Sequence, residues 1–126
     1  MGKFHIKKVP TGLTFHLAAA NGETIGTSQV YSSKNACLTG IESVRTNAPV
    51  ASVEDQTVDG YKKETCPKFE VYAEHGDDKP RFRLLAKNGE KILASQAYTT
   101  KASCLAGIDS VVRNAPEAEI IEDEAE

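Results

Sequence analysis

The side chains in this sequence best able to do chemistry are its thiols and imidazoles: Cys37, Cys66 and Cys104, with His5, His16 and His75. A redox or thiolate-metal role asks for a second thiol or an imidazole close by, as in C-x-x-C. Cys37 and Cys104 have neither. Both fall on apolar stripes of helical spacing, where a free thiol packs as a small hydrophobe. Cys66 stands alone in a polar stretch. The histidines show no H-x-x-x-H or H-E-x-x-H spacing, so no metal is expected. Asn21-Gly22-Glu23 and Asn88-Gly89-Glu90 could pass for phosphate-binding turns. Hairpin chemistry explains them, with Asn-Gly suited to a type I′ turn. No P-loop or dinucleotide fingerprint is present. Without a nucleophile–base pair or paired acid and base, the expectation is a non-enzymatic protein with no cofactor.

Two other groups of residues are candidates for contact with a partner. Ser28, Gln29, Tyr31, Lys34, Ser43 and Asn47 recur as Ser95, Gln96, Tyr98, Lys101, Ser110 and Asn114. Lys34 and Lys101 fall in a first helical turn, where the helix dipole mildly disfavours a cation. That misfit singles out Tyr31 with Lys34, and Tyr98 with Lys101, as two equivalent partner-contacting sites, against the alternative of solvated lysines. The second group is an outer sheet face joining His5, Lys7 and His16 to Tyr72, Arg81 and Arg83. Basic residues interleaved with an aromatic are what a single-stranded nucleic-acid platform uses. The competing reading is a solvated face of an antiparallel sheet.

The elements that must position these residues come in two copies. Residues 15–49 return as residues 82–116 at a constant offset of 67, and such self-similarity decides architecture before local propensity does. Phe4-His5-Ile6-Lys7 alternates as a half-buried strand, and Phe15, Leu17 and Ala19 mark a second. A third strand covers 24–29, Ser32-Ser33 caps a helix over 34–46, and a closing strand covers 50–53. The helix is expected to stop near Asn47, because Ala48 precedes Pro49. The second copy predicts strands around Phe69, Phe82 and 91–96, a helix over 101–113 and a closing strand at 118–121, with a longer turn at 75–80. The segmentation is a single pseudo-twofold domain over 1–126: repeat one 2–55, linker 56–66, repeat two 67–122 and an acidic tail 123–126.

A unit of about 60 residues buries too little surface to be comfortable alone, so the two should share a core. The net charge of −3 argues against gripping nucleic acid by charge alone. No apolar run approaches the roughly 18 residues of a membrane span, and the start reads as a strand, not a signal peptide. An odd count of three cysteines suits a reduced, cytoplasmic setting. A monomer is expected, with a protein or peptide as the partner class.

The repeated motif resembles the YegP-like family of small uncharacterised bacterial proteins. It carries F-x-L-x-A-x-N-G-[EQ]-x-I, then S-x-x-Y-[ST]-[ST]-K, C-x-x-G-I-x-S-V and N-[AS]-P. Residues 15–25, 28–34, 37–44 and 47–49 match, as do their second copies. The resemblance implies an α+β fold: tandem β(3)-α-β repeats in one continuous antiparallel sheet, two helices on one face, and exchanged C-terminal strands. It brings no catalytic or ligand residues. The residues kept in both copies read as scaffold, which leaves function to the diverging outer face.

Overall fold

A computed structural model describes residues 2–74 and 78–122. The chain runs β1 (Lys3–Val9), β2 (Gly12–Ala18), β3 (Thr24–Thr27), α1 (Lys34–Asn47), β4 (Ser52–Asp55), β5 (Lys68–Ala73), β6 (Pro80–Leu85), β7 (Lys91–Ala94), α2 (Lys101–Asn114) and β8 (Glu119–Glu122). Short 3₁₀ turns follow each helix, at Ala48–Val50 and Ala115–Glu117. The acidic tail 123–126 and the centre of the long turn, 75–77, lie outside the described residues.

All eight strands form one sheet in the order β4-β5-β6-β7-β3-β2-β1-β8. The exchange of closing strands is explicit: β4 of repeat one pairs with β5 of repeat two, and β8 returns to β1. The sheet is not antiparallel throughout, because both exchanged strands run parallel to their neighbours. Each reaches its place through a helix, and a crossover connection, unlike a hairpin, can deliver a parallel strand. The closing strands also start later than expected, at Ser52 and Glu119, since the 3₁₀ turns occupy the residues before them.

Alternation on the strands and spacing on the helices build one core. Phe4, Phe15, Phe69 and Phe82 are fully buried, each strand pair meeting edge to face at 5.7 and 5.8 Å. Cys37, Gly40, Ile41 and Val44, spaced three, four and seven apart, face that core from α1, and Cys104, Gly107, Ile108 and Val111 do so from α2. The first helix is capped where the sequence placed it, Ser33 Oγ accepting from Ala36 N–H, and in the second copy Thr100 Oγ1 accepts from Ser103 N–H. Ala48 remains helical (φ −56°, ψ −45°) although it precedes Pro49. Pro49 opens the 3₁₀ turn, where its missing N–H has no intrahelical partner to lose.

The hairpins differ from the type I′ expectation. Within the two Asn-Gly turns only the glycines, Gly22 and Gly89, take positive φ, at +89° and +88°, and among the described residues no non-glycine does. Gly22 N–H donates to Ala19 C=O and Ala19 N–H to Glu23 C=O, which makes a three-residue loop closed by a left-handed glycine. Asn21 Oδ1 accepts from Glu23 N–H and so fixes the direction in which Glu23 leaves the turn.

Candidate functional site

Placing the residues kept in both copies divides them into three kinds. Ser28 Oγ accepts from Phe15 N–H at 2.9 Å and donates to Gln29 C=O, and Ser95 does the same for Phe82 and Gln96. These hydroxyls complete the strand ladder where it is interrupted. Asn47 Nδ2 donates to Ser43 C=O and Ser43 Oγ, as Asn114 does to Ser110, and so satisfies the ends of the helices. Lys101 Nζ lies 2.8 Å from Asp55 Oδ2, and Lys34 pairs with Glu122. Each first-turn lysine thus meets the carboxylate at the end of the strand exchanged in from the other repeat. That partner offsets the mild dipole penalty, and no local pattern announces it, because the two residues belong to different repeats. Burial alone would raise the Asp55 pKa; hydrogen bonds from Lys101 and Thr57 outweigh it and lower it.

Gln29 and Tyr31 are the third kind. The Tyr31 ring stacks on Phe15 (6.0 Å, 11°) and its hydroxyl reaches over Gly40, where an added Cβ would lie 2.3 Å from Oη. Tyr98 repeats this over Phe82 (6.3 Å, 12°) and Gly107 (2.4 Å). Small residues at 40 and 107 are therefore what admit each phenol to the helix surface. Beyond the phenol, each helix faces the hairpin turn of the other repeat. One groove, about 350 Å³, lies between Gln29, Tyr31, Gly40 and Ser43 of repeat one and Asn88, Glu90 and Ile92 of repeat two. The other, about 470 Å³, lies between Gln96, Tyr98, Gly107 and Ser110 of repeat two and Asn21, Glu23 and Ile25 of repeat one. Every residue lining the first groove has its counterpart in the second at the offset of 67, and the second adds Thr24. Each groove has an apolar floor, hydroxyl and amide walls, and one carboxylate at the rim.

The electrostatics follow from that arrangement. Burial raises the pKa of Tyr31, more than Gln29's hydrogen bond lowers it, with Cys37 and Glu90 adding smaller upward contributions. Tyr98 is raised by burial, then by Cys104 and by Glu23 across the groove. Both phenols are therefore neutral hydrogen-bonding groups at ordinary pH. The thiols lie beneath them in the core; burial pushes the Cys104 thiol up to about 11, with a smaller contribution from Asp55, and raises Cys37 as well. A protonated, buried thiol is a poor nucleophile.

The outer face divides into two unlike halves. His5 and His16 are register partners whose rings stack at 4.9 Å, with exposed Lys7 beside them on β1. Tyr72, Arg81 and Arg83 lie on β5 and β6, separated from the histidines by β7 and β3. Arg83 Nε is 2.6 Å from Glu70 Oε1, and its guanidinium lies 4.3 Å from the centre of the Tyr72 ring. Behind them, Lys68 Nζ bridges Glu54 (2.8 Å) and Glu70 (3.0 Å). Glu54 is 1% exposed because the linker closes over it: Glu64 N–H and Gln56 Nε2 both donate to its carboxylate. Burial alone would raise the Glu54 pKa, but those bonds and Lys68 hold it at about 2. The six residues read as one basic platform thus form two patches, one of them committed to an internal ion cluster. Among the described residues no group of three or more His, Cys, Asp or Glu could hold a metal, and no helix is long and apolar enough to cross a membrane.

Known proteins resemble this chain over most of its length. A model of the family described as "Domain of unknown function (DUF1508)" matches twice, at residues 12–55 and 76–122. The chain is 42% identical to a UPF0339 protein of Pseudomonas aeruginosa, over 92% of each chain. A UPF0339 protein of Methanosarcina acetivorans is 54% identical over 54 residues, 43% of this chain but 91% of that relative, which is therefore about one repeat long. The solution NMR structure of yegP from Escherichia coli superposes with a TM-score of 0.72 at 36% identity, covering 97% of this chain and 92% of that one.

Proposed function

The chain belongs to the DUF1508 family of YegP-like UPF0339 proteins, and on that footing we propose that it is a non-catalytic binding module that works through its two inter-repeat grooves. The carrying observation is the convergence of Gln29, Tyr31 and Gly40 with Asn88 and Glu90, and of their counterparts, on two equivalent concave sites. A shared core requires the phenylalanines and the helix stripes. It does not require an exposed glutamine and a turn glutamate to face each other across a cleft. Concave sites with an apolar floor and a few convergent polar groups are where ligands bind. The lining also speaks for binding over catalysis, since it joins neutral hydroxyls and amides to a single carboxylate with no second acid or base.

The test is shift mapping on uniformly ¹⁵N-labelled protein with a panel of small amides, amines, carboxylates and sugars. The proposal expects perturbed amides to cluster at Gln29, Gly40 and Glu90 and at Gln96, Gly107 and Glu23. Shifts confined to Lys3, His5 and Lys7, or appearing there only with oligonucleotides, would move the function to the outer face instead.

A further inference from the structure

Each groove carries one carboxylate in its lining, but the turns that present it differ in charge, and this difference indicates what one of the grooves takes. Resting on the binding reading above, we infer that the Glu23 groove receives a basic side chain, the guanidinium or ammonium head of an arginine or lysine presented by a polypeptide partner. Among the residues lining that groove, Glu23 carries the only formal charge; Gln96, Tyr98, Ser103 and Ser110 contribute neutral donors and acceptors. Glu23 is exposed, and its carboxylate accepts a long contact of 3.4 Å from Asn21 Nδ2. The turn that presents it, Ala20-Asn21-Gly22-Glu23-Thr24, contains no cation. Its counterpart is Lys87-Asn88-Gly89-Glu90-Lys91, where two lysines flank Glu90 in the chain and reverse the local charge. Arg113 borders the adjoining depression, but its Nε is paired with Asp109 Oδ2 at 2.7 Å.

The shape fits a side chain as well as the charge does. Ile25, Ala19, Ala106 and Gly107 give the floor an apolar strip against which the methylene stem of lysine or arginine can lie while its head stays at the wet rim. The groove is open to solvent, with Glu23, Gln96, Ser103 and Ala106 all exposed. An open groove suits a group projecting from another surface better than a free molecule that must be enclosed. Guanidinium offers planar donors to a carboxylate and a hydroxyl at once.

The experiment titrates N-acetyl-arginine amide and its neutral isostere N-acetyl-citrulline amide into ¹⁵N-labelled protein, at low salt and in 0.5 M NaCl. The arginine probe is expected to bind in the millimolar range and to shift Glu23, Gln96 and Gly107 at lower concentration than Glu90, Gln29 and Gly40. It should bind at least tenfold tighter than citrulline at low salt and lose most of that margin in high salt. Glu23→Gln should abolish the margin, whereas Asp59→Asn, which removes one negative charge from the exposed linker, should leave it. If citrulline binds the groove as tightly as arginine, or if the margin survives in Glu23→Gln, the basic-side-chain inference is wrong while groove binding stands. If neither probe shifts any signal of either groove, the binding reading fails, and this inference with it.

Discussion

Replacing Gly40 with alanine tests the packing that builds the grooves, because two opposing effects of known size compete at that position. Gly40 sits inside α1, where alanine is intrinsically better than glycine by about 1 kcal/mol. Its new Cβ, however, would lie 2.3 Å from Tyr31 Oη, 2.7 Å from Cζ and 3.1 Å from Phe15 Cε2. The phenol must retreat by roughly an ångström to reach ordinary contact, while its ring is stacked on a fully buried Phe15. Overpacking of this kind costs about 1–3 kcal/mol, and the stiffness of both rings puts the cost in the upper part of that range. The expected net effect is a loss of about 1–2 kcal/mol, measured by urea denaturation with an unchanged m-value. In a Tyr31→Ala background the obstacle is gone, and Gly40→Ala should stabilise the protein by up to about 1 kcal/mol. The double-mutant cycle therefore predicts a coupling of about 2–3 kcal/mol. Additive effects, or a Gly40→Ala protein at least as stable as the parent, would refute the reasoning.

Other outcomes follow from the same contacts. In the native protein only Cys66 should react promptly with a thiol reagent at pH 8, giving one equivalent per chain, since Cys37 and Cys104 are buried with raised pKa values; three fast thiols would contradict the packing. Lys68→Met leaves Glu54 buried beside Glu70 without its cation and should cost about 3–5 kcal/mol in denaturant unfolding, whereas Lys34→Met, which removes an exposed pair, should cost less than about 1. Because the Glu54 pKa is depressed in the fold, its contribution is complete above its ordinary value near 4.5 and is lost as pH falls towards 2. An acid titration of stability should show that loss, and its disappearance in Glu54→Gln. Residues 67–122 expressed alone should be unfolded as a monomer and folded only as a dimer, with β8 completing the partner copy's sheet; a folded monomer by sedimentation would contradict the exchange.

Legibility in the sequence followed the range of the interactions. Strand alternation, the Ser33 and Thr100 caps and the cysteine stripes are local patterns, and they fall where periodicity placed them. The strand exchange was carried by the family resemblance, since no local signal tells β4 which neighbour it will meet. Its parallel direction comes from the helical crossover, and the later starts of β4 and β8 from the 3₁₀ turns that hold Pro49 and Pro116, where the pre-proline rule alone suggests a stop. The linker carries ordinary turn chemistry, and nothing in its composition announces that Glu64 N–H will seal Glu54. The grooves were the least legible feature. Tyr31 and Glu90 stand in different repeats, so their meeting is visible only once the sheet is assembled. Their retention in both copies was the available signal, and it reads equally well as scaffold until the geometry sets Gln29 and Glu90 on opposite walls of one cleft.

The most direct test of the account is the number and position of sites for the strongest binder in the small-molecule panel. Two sites per chain are expected, one shifting Gln29, Gly40 and Glu90 and the other Gln96, Gly107 and Glu23. Binding at a single place outside both grooves, with those six amides unmoved at saturation, would contradict it.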